Sequence, residues 1–171
     1  ALSKSFKSMK MKVVVTGASQ GIGKAIAEQF AAHGSDLFLV SRSMDKHQGW
    51  VREWMDRFGI NISTCNADLS RREELDAFAA AVHGGFGTVD VLVNNAGNFE
   101  PGNVHDEAEG TLERMMNLNF YSAYHLTRSL LPEMMRARKG HIFNICSIAA
   151  LKAYPGGGSY SISKFALEGF S

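Results

Sequence analysis

The feature that most constrains the fold is a glycine-rich turn between an apolar run and an amphipathic segment. Residues 12–15 (KVVV) predict a buried parallel strand. Residues 22–34 place apolar side chains at helical spacing and end at Gly34, where a helix can stop. Between them lie Gly17, Gly21 and Gly23. At a strand-to-helix turn such glycines leave room for a dinucleotide pyrophosphate, and a plain glycine-rich turn is the alternative.

The rest of the chain alternates apolar runs with amphipathic segments. This alternation predicts an α/β fold: one domain, a doubly wound parallel sheet (Rossmann fold), right-handed crossovers, and sites beyond the carboxyl ends of the strands. We expect residues 11–171 to form this domain and residues 1–10 to form a flexible polar tail. The predicted strands are 12–15, 35–41, 60–67, 89–93 and 141–146, and the predicted helices are 24–34, 44–58, 70–83, 107 or 111 to 132, and 159–171.

Individual residues set the expected helix ends. Ser70 and Glu73 have the spacing of a capping box, which predicts Ser70 as an N-cap. The pair Gly84-Gly85 is expected to end that helix, and Pro132 to end or kink the long one. The aromatic stripe in residues 44–58 is interpreted as core packing against the sheet.

Composition argues against several classes of partner. Charged residues make up 20% of the chain and the net charge is +1, so neither nucleic acid nor a membrane is expected as a partner. Cys65 and Cys146 fall in predicted buried strands, which favours a reducing, cytoplasmic compartment over a disulfide framework. No apolar run approaches the length of a transmembrane helix. The six histidines show no ligand spacing, so no metal site is predicted.

Three residues near the end of the chain could act on a carbonyl or alcohol. Tyr160 and Lys164 are four apart on a predicted helix, so they share a face. A nearby ammonium favours the phenolate and tunes a phenol for proton transfer. Ser147 follows the fifth predicted strand, where its hydroxyl could hold the same oxygen. The alternatives are a surface tyrosine beside a solvated lysine, and a turn serine.

The end of the second predicted strand bears on the choice between NAD and NADP. Proteins of this architecture that bind NAD carry an acidic residue about 20 positions past the glycines. This chain has Ser41 and Arg42 there, and the planar guanidinium could grip a 2′-phosphate. Lys24 could add long-range attraction. For both cations a solvated surface charge is the alternative.

Together these motifs resemble the short-chain dehydrogenase/reductase family from Lys12 onward, with the three-oxoacyl-carrier-protein-reductase-like and sepiapterin-reductase-like branches as the nearest. The resemblance implies that Asn119 joins Ser147, Tyr160 and Lys164 as a catalytic residue. Asn119 would distort its helix and hold water near Lys164; a solvent-facing polar residue is the alternative. The motifs that carry the resemblance are Thr16-Gly17-x-x-x-Gly21-Ile22-Gly23, Asn94-Asn95-Ala96-Gly97, Asn119, Ser147 and Tyr160-x-x-x-Lys164.

The resemblance implies an NADP-dependent oxidoreductase that reduces a ketone or ketoacyl group, or oxidises the alcohol, with Tyr160 as general acid/base. A non-catalytic dinucleotide-binding sensor or scaffold is the alternative. The family continues past the Tyr-Lys helix and assembles as tetramers, so we expect a truncated chain and, when intact, a homotetramer. Ser147 and Tyr160 would contact the small-molecule substrate. The expected cofactor-binding residues are Gly17, Ser19, Gln20, Gly21, Ile22, Gly23, Ser41, Arg42, Asp68, Leu69, Asn95, Ala96, Gly97, Tyr160 and Lys164. Asp68 could equally be only a helix-start residue.

Overall fold

A single five-stranded parallel sheet organises the chain. The computed structural model describes residues 10–171, so the predicted tail lies almost wholly outside the described residues. The strand order is β3-β2-β1-β4-β5, and every neighbouring pair is parallel. This confirms the doubly wound α/β prediction. The strands are β1 (Lys12–Thr16), β2 (Asp36–Ser41), β3 (Ile62–Asn66), β4 (Val91–Asn94) and β5 (His141–Asn144).

Helices connect the strands and cover both faces of the sheet. A 3-10 turn, Met44–His47, leads into the second helix, and another, Ile148–Ala150, follows β5. The long helix between β4 and β5 contains a π-helical turn, Asn117–Tyr121. The helices are α1 (Gly21–Ala32), α2 (Gln48–Phe58), α3 (Arg72–Phe86), α4 (Thr111–Met116), α5 (Ser122–Ala137) and α6 (Gly158–Phe170).

Two apolar clusters lie on opposite faces of the sheet. One packs α3 and α5 against the sheet around Val14 and Phe38, and the rings of Phe78 and Phe86 meet Phe38 edge-on. The other packs α1 and α2 around Val13 and Val15. Trp54 is buried in that second cluster, and Trp50 is partly buried beside it. The aromatic side chains of residues 44–58 therefore pack against the core, as predicted.

Three expected helix ends are wrong. Helix α3 begins at Arg72, and Ser70 does not cap it. The Ser70 hydroxyl donates instead to the Asp68 carboxylate, which also accepts the Ser70 N–H and so forms a turn before the helix. The same helix runs through Gly84-Gly85 and ends at Phe86, with Gly87 as the C-cap at a φ of +64°. Helix α5 does not end at Pro132 but continues to Ala137. Pro132 and Arg128, four residues before it, lie on the exposed side of the helix, where water can satisfy the carbonyl that Pro132 leaves without a partner.

The predicted burial of both cysteines is also corrected. Cys65 lies on the edge strand β3, and Cys146 lies two residues past the end of β5, so both free thiols are only partly buried. That partial burial raises the pKa of both thiols, because it disfavours the thiolate.

Candidate active site

A cleft of about 400 Å³ opens beyond the carboxyl ends of β1, β2 and β4. The strand order reverses on either side of β1, and ligands bind at such switch points in parallel sheets. The cleft is lined by twelve of the fifteen expected cofactor residues: Gly17, Ser19, Gln20, Gly21, Ile22, Ser41, Arg42, Asp68, Leu69, Asn95, Ala96 and Gly97. The other three, Gly23, Tyr160 and Lys164, lie outside this lining.

The glycine turn leaves backbone donors free at the start of α1. The first turn of α1 has no side-chain cap and no acidic residue, so its N–H groups and helix dipole are available to an anion. Gly21, at φ +59°, has open space where a side chain would project. The turn therefore fits a pyrophosphate.

Gly23 has a packing role instead. A Cβ there would overlap the Asn95 amide and the Gly17 carbonyl, so only glycine lets α1 approach the end of β4 this closely. Gly23, which was predicted to bind the cofactor, therefore allows the close packing of the turn but does not line the cleft.

Thr16 opens the glycine motif, but sequence reasoning gave this side chain no role in the site. Its Oγ1 accepts the backbone N–H groups of Asn95 and Ala96, both at 2.9 Å. Its carbonyl accepts from the Asn95 side-chain amide, also at 2.9 Å. These bonds join the glycine turn to the segment after β4 and fix two walls of the cleft. The only signal in the sequence was its place directly before Gly17.

The residues expected to determine the preference for NADP or NAD lie in the same cleft, beyond the end of β2. Arg42 is exposed at the rim, and the Ser41 hydroxyl accepts the N–H of Ser43 at 3.2 Å. Asp68 Oδ1 accepts both the N–H and the hydroxyl of Ser70, which shapes the loop at the start of α3. The Lys24 ammonium lies 5.0 Å from the centroid of the Trp50 ring, so this cation is directed at α2.

Helix α6 brings Tyr160 and Lys164 together. The Lys164 ammonium lies 5.9 Å from the Tyr160 ring centroid and donates to the Ile145 carbonyl at 2.9 Å. Lys164 is only 6% exposed, and burial lowers the pKa of its ammonium because the charged form loses hydration. Phe99, which sequence reasoning also missed, packs against Tyr160 in an edge-to-face arrangement, with the two ring centroids 4.8 Å apart.

Asn119 lies inside the π turn, so the helix distortion that the resemblance implied is present. The residue is 1% exposed, which excludes the solvent-facing alternative. Its Oδ1 accepts the N–H of Asn98 at 2.8 Å, and its Nδ2 donates to the Asn98 carbonyl and the Ser163 hydroxyl at 2.9 Å each. A Cβ on Gly97 would contact both Asn119 Oδ1 at 3.2 Å and Lys164 Nζ at 3.6 Å. Gly97 therefore allows Asn119 and Lys164 to approach the same point.

Ser147 stands between β5 and the one-turn helix Ile148–Ala150. Its Oγ accepts the N–H of Ala149 at 3.2 Å, which leaves the hydroxyl hydrogen free to donate. The structure thus places the four expected catalytic residues in three places: the π turn, the segment after β5, and α6.

Residues 10–171 offer neither a cluster of metal ligands nor a membrane-spanning helix. No group of three or more His, Cys, Asp or Glu side chains in this range is placed to hold a metal ion. None of the helices in this range combines the length and apolar character needed to cross a membrane.

Comparisons with known proteins agree on one family. The family model for short chain dehydrogenases matches residues 11–171. The chain is 34% identical to 2-(R)-hydroxypropyl-CoM dehydrogenase from Xanthobacter autotrophicus, covering 93% of this chain and 65% of that protein. It is 31% identical to the 3-oxoacyl-acyl-carrier-protein reductase of Chlamydia muridarum, covering 92% and 64%.

A solved structure gives the same relationship. L-sorbose reductase from Gluconobacter frateurii, complexed with NADPH and L-sorbose, superposes with a TM-score of 0.90 at 33% identity, covering 95% of this chain and 62% of that one. The chain therefore spans somewhat under two thirds of the length of these relatives. The matched family model, the sequence identities and the shared fold together show that the chain belongs to the short-chain dehydrogenase/reductase family.

Proposed function

We propose that the protein is an NADP-dependent oxidoreductase that interconverts a carbonyl group, such as a ketone or ketoacyl group, and an alcohol. The observation that carries this proposal is the buried Lys164 ammonium beside Tyr160, close to a cleft with a free helix N-terminus. When bound, the nicotinamide cofactor supplies or accepts the hydride. Relatives named as reductases and dehydrogenases, one of them complexed with NADPH, support the same reaction class.

Each of the four side chains has a separate role in the reaction. Tyr160 donates a proton to the carbonyl oxygen during reduction and removes it in the reverse direction. Ser147 donates a hydrogen bond to the same oxygen and stabilises its developing charge. Lys164 places its ammonium beside the Tyr160 ring, 5.9 Å from the ring centroid. Asn119 fixes the loop over Gly97 and would hold water near Lys164 for proton resupply.

The change Tyr160→Phe tests this mechanism in the full-length protein. A panel of ketone and ketoacyl substrates is screened with NADPH, and kcat/KM is expected to fall by about 10²–10⁴. The NADPH dissociation constant should stay within about threefold, because the change removes a proton donor and not a wall of the cleft. The exposed tyrosine variant Tyr154→Phe is the control. Undiminished turnover by Tyr160→Phe would exclude the mechanism, and tight NADPH binding without turnover would favour a sensor or scaffold.

Cofactor preference depends on Arg42. A bidentate guanidinium–phosphate contact contributes roughly 1.5–3 kcal/mol, or about ten- to a hundredfold in affinity. Arg42→Ala should weaken NADPH binding by that factor with little effect on NADH. Ser41→Asp should shift preference toward NADH, since a carboxylate repels the 2′-phosphate. Arg52→Ala, an exposed arginine on α2, is the control. Equal wild-type affinity for the two cofactors would overturn the assignment.

Assembly and compartment complete the proposal. We propose a homotetramer, supported by exposed apolar side chains on the long helix and α6, including Leu112, Tyr121, Ile162 and Phe165. Sedimentation of the full-length protein as a monomer would contradict it. The two free thiols support a reducing, cytoplasmic location, which imaging of the tagged full-length protein tests.

A further inference from the structure

The carboxylate of Glu107 lies at the N-terminus of α6, the helix that carries Tyr160 and Lys164. Its Oε1 accepts the N–H of Ser159 at 2.8 Å, and its Oε2 accepts the Ser159 hydroxyl. The first N–H groups of a helix lack partners within the helix, and an acidic acceptor there also meets the positive end of the helix dipole. Glu107 thus caps α6 from a segment 52 residues earlier in the chain.

Two glycines make room for this carboxylate. A Cβ on Gly102 would lie 2.6 Å from Glu107 Cγ. A Cβ on Gly158, the first residue of α6, would overlap Glu107 Oε1 and lie 2.7 Å from the Gly102 carbonyl. The carboxyl group is therefore enclosed by backbone on two sides and held in one place.

The loop that carries Glu107 is itself fixed. The Glu107 N–H donates to the Asn103 carbonyl at 3.0 Å, and the Asn103 N–H donates to Asp106 Oδ1 at 2.9 Å. The same loop is bound to the segment before α6, because Gly102 N–H donates to the Gly156 carbonyl at 3.1 Å and Gly156 N–H donates to Asn103 Oδ1 at 2.9 Å. Contacts other than those to Ser159 thus also hold Glu107 in position.

We propose that Glu107 is a positioning residue for the reaction. Through Ser159, the neighbour of Tyr160, it fixes the first turn of α6 and the direction in which Tyr160 presents its hydroxyl. Phe99, on the same loop as Glu107, also packs against the Tyr160 ring in an edge-to-face arrangement. This inference rests on the proposed function, since the group being positioned is the proposed general acid.

Kinetics of the full-length protein test the inference. Glu107→Ala should lower kcat about tenfold or more, because displacement of a reacting group by about 1 Å costs up to about a hundredfold. The NADPH dissociation constant should change by less than about threefold, since Glu107 lies outside the cleft lining. Glu107→Gln should recover most of kcat, because an amide oxygen still accepts the Ser159 N–H. Glu109→Ala, an exposed acidic residue of the same loop, is the control.

Activity is expressed per NADPH-occupied site, so that loss of folded protein does not imitate loss of positioning. An unchanged kcat for Glu107→Ala, whatever its melting temperature, overturns the inference while the proposed function stands. A wild type inactive on the whole panel overturns the proposed function instead. Amide hydrogen exchange then decides the structural part: faster exchange at Ser159 and Tyr160 in Glu107→Ala than in Glu109→Ala supports the cap, and equal exchange overturns it.

Discussion

The change Asn119→Ala removes a weak hydrogen bond to the Met115 sulfur. It also removes three hydrogen bonds with nitrogen and oxygen partners: one accepted from the Asn98 N–H, and two donated to the Asn98 carbonyl and the Ser163 hydroxyl. At a net value of about 1 kcal/mol each, their loss costs about 3 kcal/mol. The better helix propensity of alanine returns about 0.5 kcal/mol. Asn98 is exposed, so water can partly replace its lost partners. The expected decrease in the free energy of unfolding is therefore about 2–3 kcal/mol.

Urea denaturation followed by circular dichroism measures this decrease if the transition is two-state. In a thermal scan the same loss corresponds to a melting temperature lower by about 4–12 °C. The control is Asn117→Ala, an exposed asparagine in the same π turn, which should lose less than about 0.5 kcal/mol. If Asn119→Ala costs no more than Asn117→Ala, the reasoning that the buried amide holds the π turn to α6 is refuted.

Two other predictions concern the same region. Burial lowers the pKa of the Lys164 ammonium, so the folded state binds this proton more weakly than the unfolded chain does. The buried charge therefore destabilises the folded state at neutral pH. The free energy of unfolding should rise as pH increases from the lowered pKa toward the unfolded value of about 10.4. Urea unfolding from pH 7 to 10 should show wild type gaining stability relative to Lys164→Met, and parallel curves would contradict this. Gly23→Ala should lower the free energy of unfolding by about 1–3 kcal/mol, because the new Cβ overlaps Asn95, and it should also weaken NADPH binding. The control is Gly49→Ala, where a Cβ meets open space, and it should change neither stability nor NADPH binding in this way.

The architecture was predictable because its signals are local and repeated. Each buried strand is a short apolar run, and the helix between two such runs shows its own periodicity, so five strands and their order of connection follow from the sequence. The cleft followed for the same reason: Gly17, Arg42, Asp68 and Gly97 each come within four residues of the end of a predicted strand, and parallel strands end at one edge.

The parts that sequence reasoning missed depend on distant partners. Gly85 reads as a helix stop, but Phe38 lies 3.3 Å from where its Cβ would be, so packing against β2 favours a continuous helix there. The hydroxyl of Thr16 meets backbone groups 79 and 80 residues away, and Glu107 meets Ser159 across 52 residues. No local pattern marks such contacts, since each becomes visible only after the sheet order is fixed.

The π turn keeps the buried side chains at the two ends of the long helix on the same side. Its inward side chains recur every four residues at Thr111, Met115, Asn119 and Ala123, and again at Leu126, Leu130 and Met134. In an ideal α-helix, at about 100° per residue, the run from Thr111 to Met134 overshoots six whole turns by about 140°. The extra residue taken up by the wider turn reduces this to about 40°. Without the wider turn, the same residues would place Thr111 and Met115 about 100° further around the helix relative to Leu130 and Met134. Deleting one residue within Asn117–Tyr121 would instead restore a regular α-helix and leave that relation unchanged.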